Sequence, residues 1–181
     1  MNLRAQPSAT PLQARIWQWL EQVSDPEIPV ISVVDLGIVR SVEVTEGDGR
    51  PDGQARCTIV ITPTYSGCPA MGVIASEIVA ALNGHGLQQV EIRTQLSPAW
   101  STDWMTETGK QQLKGYGIAP PAQRVIDISG ISRKRLQAPN VACPHCGSSN
   151  TICVSQFGST SCKSLYQCKD CMEPFDYFKA H

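Results

Sequence analysis

The 181-residue chain holds eight cysteines, and they fall into two kinds of setting. Six follow residue 140, and four of these pair as "CPHC" (Cys143, Cys146) and "CKDC" (Cys168, Cys171), giving the spacing C-x2-C-x21-C-x2-C. A tight turn at each pair presents two thiolates, and two such turns facing each other make a tetrahedral four-sulfur metal site of the ribbon type. The β-like segments between the pairs are too short to hold a core alone, so metal binding supplies most of the folding free energy there. Zinc is expected ahead of a rubredoxin-type iron, because both suit four thiolates and structural zinc ribbons are commoner. A redox disulfide at either pair accounts for only half of the constellation. His145, inside the first pair, reads as a solvent-facing turn residue and not as a ligand.

Cys68 is the second kind. In "ITPTYSGCPAMGVIASEIVAALNG" it follows a β-branched run and Gly67, and it precedes Pro69 and an apolar-periodic segment. Proline suits the first helical position, which predicts Cys68 as the N-cap of a helix. There the unpartnered N–H groups and the positive helix end stabilise a thiolate and lower its pKa. The alternative is a half-buried thiol filling a gap beside Tyr65. One thiolate cannot hold a metal cluster by itself; further ligands would come from a second copy of the chain, a partner protein or a small thiol. Nucleophilic catalysis would ask for a histidine base, and His85, His145 and His181 offer no evident partner to Cys68. That counts against an enzyme of the Cys–His type.

Of the remaining cysteines, Cys57 lies on the face of Ile59 and Ile61 in a β-run and belongs to the core. Cys153, in the alternating "NTICVSQF", reads as a small buried hydrophobe. Cys162 falls in "FGSTSCKS", a polar turn beside Lys163, where exposure and a nearby cation would favour thiolate; functional and bland readings stay open. Phe175, Tyr177 and Phe178 read as ribbon packing or a docking surface. Asp25, Glu27 and Asp35 are the acidic residues of "DPEIPVISVVDLG". Asp35 suits a brace for the Leu36-Gly37 turn, and Asp25 and Glu27 suit the lining of the Cys68 site.

The elements that position these residues follow from periodicity. Leu12, Ile16, Trp19, Leu20 and Val23 predict a helix over 11–24, stopped by Asp25-Pro26. Strands are predicted over 38–44 and 56–62, joined by the polar turn "TEGDGRPDGQ". Met71, Ile74, Ile78 and Leu82 mark a second helix closed by Gly84 and Gly86. Val90, Ile92, Thr94 and Leu96 alternate as a third strand, and "SPAWSTDW" precedes a short helix through about Tyr116. The fold class is α+β: a small three-stranded mixed sheet with helices on one face, over 10–117. A linker over 118–140 follows, and a small β zinc-ribbon domain fills 141–181.

Composition narrows the classes of function. With 41% hydrophobic and 17% charged residues the chain is globular. No apolar run approaches the ~20 residues that cross a bilayer. "MNLRAQPSATP" lacks the apolar stretch of a secretory signal, so the expected location is the cytoplasm, where metal or thiol chemistry outranks disulfides. A net charge of −1 gives no general attraction to nucleic acid. The basic run at 132–135, "SRKR", reads as a solvated tether. A nucleic-acid-binding ribbon is disfavoured by that charge and by the lack of an aromatic–basic face.

"VSDPEIPVISVVDLGIV" followed by "TPTYSGCPAMG" resembles the MIP18-like family of iron–sulfur cluster assembly factors, over about residues 12 to 116. With the ribbon, including "FGSTSCK" and "EPFDYFKAH", the whole chain is similar to PaaD-like accessory proteins of the phenylacetyl-CoA epoxidase of phenylacetate degradation. The resemblance implies a non-catalytic maturation role toward a system with a di-iron oxygenase and a reductase carrying an iron–sulfur cluster and flavin. The implied partners are those components and the iron–sulfur assembly machinery. The ligands that a lone Cys68 lacks make a homodimer a further expectation, and charge and hydropathy speak against nucleic acid and membrane. Carried over by position, the reactive cysteine is Cys68, between Gly67 and Pro69, with Asp25, Glu27, Asp35, Leu36 and Gly37 forming the signature loop. The resemblance leaves open whether Cys68 binds a transient iron–sulfur cluster, receives sulfur or only contacts the client. A labile site suits transfer and a closed one does not, so exchange is expected at Cys68, with Cys162 as a second candidate thiol, and a structural zinc on Cys143, Cys146, Cys168 and Cys171. The rival reading is a stable structural component of the oxygenase–reductase complex.

Overall fold

The computed structural model describes residues 10–45, 55–121 and 141–180. The basic run at 132–135, most of the turn between the first two strands, the linker beyond Pro121 and His181 lie outside the described residues. The chain divides into two compact units, 1–109 and 110–181.

The first unit opens with α1 (Pro11–Leu20), whose start is fixed by Thr10: its hydroxyl accepts from the backbone N–H of Gln13, and proline occupies the first helical position. Helix α1 ends four residues before the predicted limit, yet Val23 still turns inward and is buried. Residues 21–37 form an ordered loop, in which Ser24 bridges to Ser32 and the N–H groups of Asp25 and Val33 donate to the Ile31 and Val23 carbonyls at 2.9 Å. Strands β1 (Val39–Thr45) and β2 (Arg56–Ile61) pair antiparallel. Helix α2 (Met71–Gly84) then carries the chain to β3 (Gln89–Thr94), which pairs parallel to β2. The sheet order is β1-β2-β3, the mixed three-stranded sheet that the pattern predicts.

Register explains the single core. Val42 lies opposite Ile59, Val44 opposite Cys57, and Ile59 opposite Ile92, so one face of the sheet is apolar. Ile16 and Leu20 of α1 and Ile74, Ile78 and Leu82 of α2 are fully buried. Their three-to-four spacing gives each helix one inward stripe. The opposite face carries Glu43, Thr58, Glu91 and Arg93.

Gly37 requires its lack of a side chain. Its φ is +75°, and a Cβ there would sit 2.7 Å from the carbonyl oxygen of Trp104. Trp104 ends a short 3-10 turn (Thr102–Trp104), and the Arg40 guanidinium lies 3.4 Å from its ring centroid. Trp100 Nε1 donates to the Leu36 carbonyl at 3.1 Å. The returning segment 98–106 is thus clamped under the 33–40 loop.

Helix α3 (Glu107–Gly115) spans the division between the units. In the second unit, β4 (Ile118–Ala119), β5 (Thr151–Ser155), β6 (Lys163–Cys168) and β7 (Pro174–Phe178) form a sheet of order β4-β7-β6-β5. The linker predicted to open at 118 therefore begins later, because Ile118 and Ala119 pair in parallel with Asp176 and Tyr177. Their side chains are buried, and Ala119 joins Val141, Cys143, Tyr166, Cys168, Phe175 and Tyr177 in one small core. Phe175, Tyr177 and Phe178 are packing residues, with Tyr166 set against both Phe175 and Tyr177 at ring distances of 5.9 and 5.5 Å.

Candidate functional site

Two sites emerge, one in each unit. In the second unit the sulfurs of Cys143, Cys146, Cys168 and Cys171 all lie within 4.8 Å of one another. Cys143 and Cys171 are 3.7 Å apart and Cys146 and Cys168 3.6 Å apart. A tetrahedral metal with bonds of about 2.3 Å places its sulfurs about 3.8 Å apart, which the two measured pairs match. These four side chains would hold it, and it would supply a closed structural crosslink.

The turns around the cysteines are built for that purpose. Gly147 takes φ +77° to close the first turn, with its N–H donating to the Cys143 carbonyl at 2.9 Å. The Cys171 N–H points at Cys168 Sγ across 3.5 Å. The Cys168 thiol is drawn down to about 7, chiefly by that N–H, which prepares it as a thiolate ligand. Asp170 links the two turns, accepting from the Ser148 hydroxyl and, at 2.7 Å, from Asn150 Nδ2. His145 is exposed, as its turn position predicts.

Cys153 is half-buried against the ribbon core. Cys162 departs from expectation: only 6% of it is exposed, and its sulfur lies 3.0 Å from Thr160 Oγ1. Lys163, expected to bias it toward thiolate, is itself buried and pairs with Asp176 at 3.6 Å. The turn folds inward because Gly158 gives its N–H to the Lys163 carbonyl. The exposure and the free neighbouring cation expected at Cys162 are thus both missing.

In the first unit, Cys68 is half-exposed at the step from β2 to α2. It is not the N-cap. That position belongs to Ala70, which makes no side-chain cap, and the helix starts at Met71. Residues 65–71 instead form two successive turns, with the Cys68 N–H on the Tyr65 carbonyl and the Met71 N–H on the Cys68 carbonyl.

The expected fall in pKa does not occur either. Burial pushes the Cys68 thiol up; the Ala70 N–H and the Tyr65 side chain pull it down, and the negative charges of Glu27 and Asp25 add to the rise. The structure thus brings Asp25 and Glu27 into electrostatic reach of Cys68. Asp25 is buried, with Oδ1 accepting from the N–H groups of Glu27 and Ile28 at 2.8 and 2.9 Å, which pins the turn that carries the exposed Glu27. Gly67 and Pro69 are both exposed and frame the sulfur. His85 lies elsewhere, stacked on Trp19 with ring centroids 4.2 Å apart.

Asp35 is a brace. Its carboxylate accepts from the Ser32 and Thr106 hydroxyls at 3.0 and 2.6 Å, and its carbonyl accepts from the Thr106 N–H. Sequence reasoning missed Thr106, although a threonine three residues before Gly109 at a helix start is a capping signal; its Oγ1 accepts from the Gly109 N–H at 3.0 Å. In the sequence Tyr65 figures only as the neighbour of a gap that the Cys68 thiol would fill; its side chain's pull on the Cys68 pKa comes from the turn.

Burial, with a smaller addition from the acidic neighbours, favours the protonated thiol; that is poor for a nucleophile and good for a cation, which neutralises the carboxylates while displacing the proton.

Comparisons with known proteins place both halves. Residues 13–93 match the family described as "Iron-sulfur cluster assembly protein", and residues 129–179 match "PaaD zinc beta ribbon domain". The chain is 46% identical over 171 residues to an Escherichia coli protein named as a subunit of a putative 1,2-phenylacetyl-CoA epoxidase, covering 94% of each. It is 33% identical to "Fe-S protein maturation auxiliary factor YitW" of Bacillus subtilis, over 56% of this chain and 93% of that protein. "Fe-S protein maturation auxiliary factor SufT" of Staphylococcus aureus is also 33% identical, over 50% of this chain and 96% of its own.

Proposed function

This chain belongs to the same family as that putative phenylacetyl-CoA epoxidase component of Escherichia coli, and on that premise we propose that it is a non-catalytic maturation factor for the iron centres of such an epoxidase. The observation that carries this reading is the pairing of a half-exposed thiol, Cys68, with the charges of Glu27 and Asp25. An iron or iron–sulfur unit held by one protein thiolate beside carboxylates can exchange ligands with an acceptor. A closed four-thiolate site cannot.

The two metal sites divide the work. Zinc on Cys143, Cys146, Cys168 and Cys171 holds the ribbon, which is available to dock the oxygenase or reductase. Cys68 carries the labile iron, and the assembly machinery supplies it. Cys162 takes no part in exchange. The protein works in the cytoplasm; among the described residues no helix is long and apolar enough to cross a membrane. A stably bound component is the second reading, favoured by the relative's being named as part of the epoxidase itself. Purification at fixed stoichiometry with an oxygenase would select it.

The test is Cys68→Ser in a strain that depends on the epoxidase. The variant should keep its fold and its zinc while the epoxidase components emerge short of iron and inactive. Full maturation in the variant would overturn the assignment, and loss of zinc alongside would point to the fold.

A further inference from the structure

Among the described residues β3 ends the sheet, so one side of its backbone has no strand beside it. Which residues face that side follows from hydrogen bonding. The Gln95 N–H donates to the Ile61 carbonyl at 2.8 Å, so the odd-numbered residues of β3 bond toward β2. In a parallel pair the intervening residues then turn both N–H and C=O outward, and here these are Val90, Ile92 and Thr94.

This outward triad is centred on Ile92, and so is the charge pattern. Glu91 and Arg93 flank it on the sheet's polar face, joined by a 2.9 Å ion pair with half or more of each side chain exposed. A protective edge normally carries like charges that repel its own copy. This one is self-complementary. An antiparallel partner strand centred on its own Ile92 would set Glu91 opposite Arg93 and Arg93 opposite Glu91. It would also pair Ile92 with Ile92, and Val90 with Thr94 in both directions, each pair exchanging its N–H and C=O bonds.

The other face of the same edge is apolar and open. Between α2 and β3 runs a groove of about 400 Å³ lined by Ala75, Ser76, Val79, Ala80, Asn83 and Ile92. Leu96, 58% exposed, continues the Val90–Ile92 line just beyond β3. A twofold-related copy would extend the sheet to six strands and cover this groove with its own α2.

We propose that β3 is a homodimerisation edge, in which two copies pair antiparallel about a twofold axis through Ile92, locked by reciprocal Glu91–Arg93 contacts. Both copies of Cys68 follow the C-terminal end of β2, and an antiparallel arrangement carries these ends apart. Each Cys68 site therefore acts alone, with its further metal ligands drawn from the client or a small thiol and not from the sister copy.

Sedimentation equilibrium of the full chain, with Glu91→Arg, Arg93→Glu and the double exchange, tests this. The parent should dimerise, and either single reversal should weaken the dimer about tenfold or more through two like-charge contacts. The double exchange should restore it. An equimolar mixture of the two single variants should form heterodimers in preference to either homodimer, since one edge is then doubly basic and the other doubly acidic. Both side chains are exposed, so circular dichroism should show every variant folded. A parent that stays monomeric at all concentrations, or a dimer indifferent to the single reversals, would falsify the proposal.

Discussion

The Thr106 hydroxyl donates to the Asp35 carboxylate across 2.6 Å, joining the loop after α1 to the start of α3 across 71 positions of sequence. Ser32 donates to the other carboxylate oxygen, so both are engaged in a site that is largely shut off from water. Asp35→Ala should cost about 2–4 kcal/mol, because it strands the buried Ser32 hydroxyl and removes the acceptor of the half-buried Thr106 hydroxyl. Urea titration followed by tryptophan fluorescence reads this directly. Under folding conditions the variant should still show the parent's rate of Cys68 alkylation, since Asp35 acts on the loop and not on the sulfur.

Removing metal should separate the two units. The ribbon's own core is seven buried residues, two of them cysteines of the metal set. An apparent metal-binding free energy on the order of 10 kcal/mol is then most of what holds it. Chelation should unfold residues 141–180 and leave the first unit intact. Hydrogen exchange would show lost protection in β5 to β7 and none lost in β1 to β3. Collapse of both halves together would contradict this.

The acidic surround of Cys68 has a sign that can be measured. Glu27→Gln removes one charge that raises the thiol pKa, so at pH 7 to 8 the thiolate fraction increases. Iodoacetamide should then modify Cys68 roughly severalfold faster, with the pH–rate profile displaced to lower pH. Iron affinity should move the opposite way, because the cation loses a neighbouring carboxylate. A variant that gained iron affinity would undo the electrostatic reading.

Cys57 gives an alkaline limit to stability. Burial in the sheet core pushes its thiol up to about 11, against about 8.5 for an unfolded cysteine. A raised folded-state pKa means that the contribution is complete below pH 8.5 and is lost as pH climbs through 11. The loss is on the order of 3 kcal/mol. Cys57→Val should flatten the fall in the first unit's urea midpoint between these values, with Cys68, which shifts in the same direction, adding to the remaining slope.

Several features were legible in the residues alone because they depend on local rules. The alternation of β1, β2 and β3 and the three-to-four stripes of α1 and α2 set the element types, and those stripes allow only one buried face. The spacing of Cys143, Cys146, Cys168 and Cys171 pointed to a four-sulfur cage, since two tight turns can offer two sulfurs each and a disulfide at either pair uses only half of them. The short strand at Ile118–Ala119 carried no such signal, because two residues have no period and pair only once β7 exists. Cys162 looked exposed in a polar turn, but its burial depends on how the turn from 157 to 163 folds back on Asp176. At Cys68 the local reasoning failed: the residue is not the N-cap and its pKa is raised, not lowered. Sequence could locate a thiol between sheet and helix, but its proton affinity depends on Glu27 and Asp25, some forty positions away, and on the solvent removed by packing. Charge and burial act through space, and only the folded chain decides which groups share it.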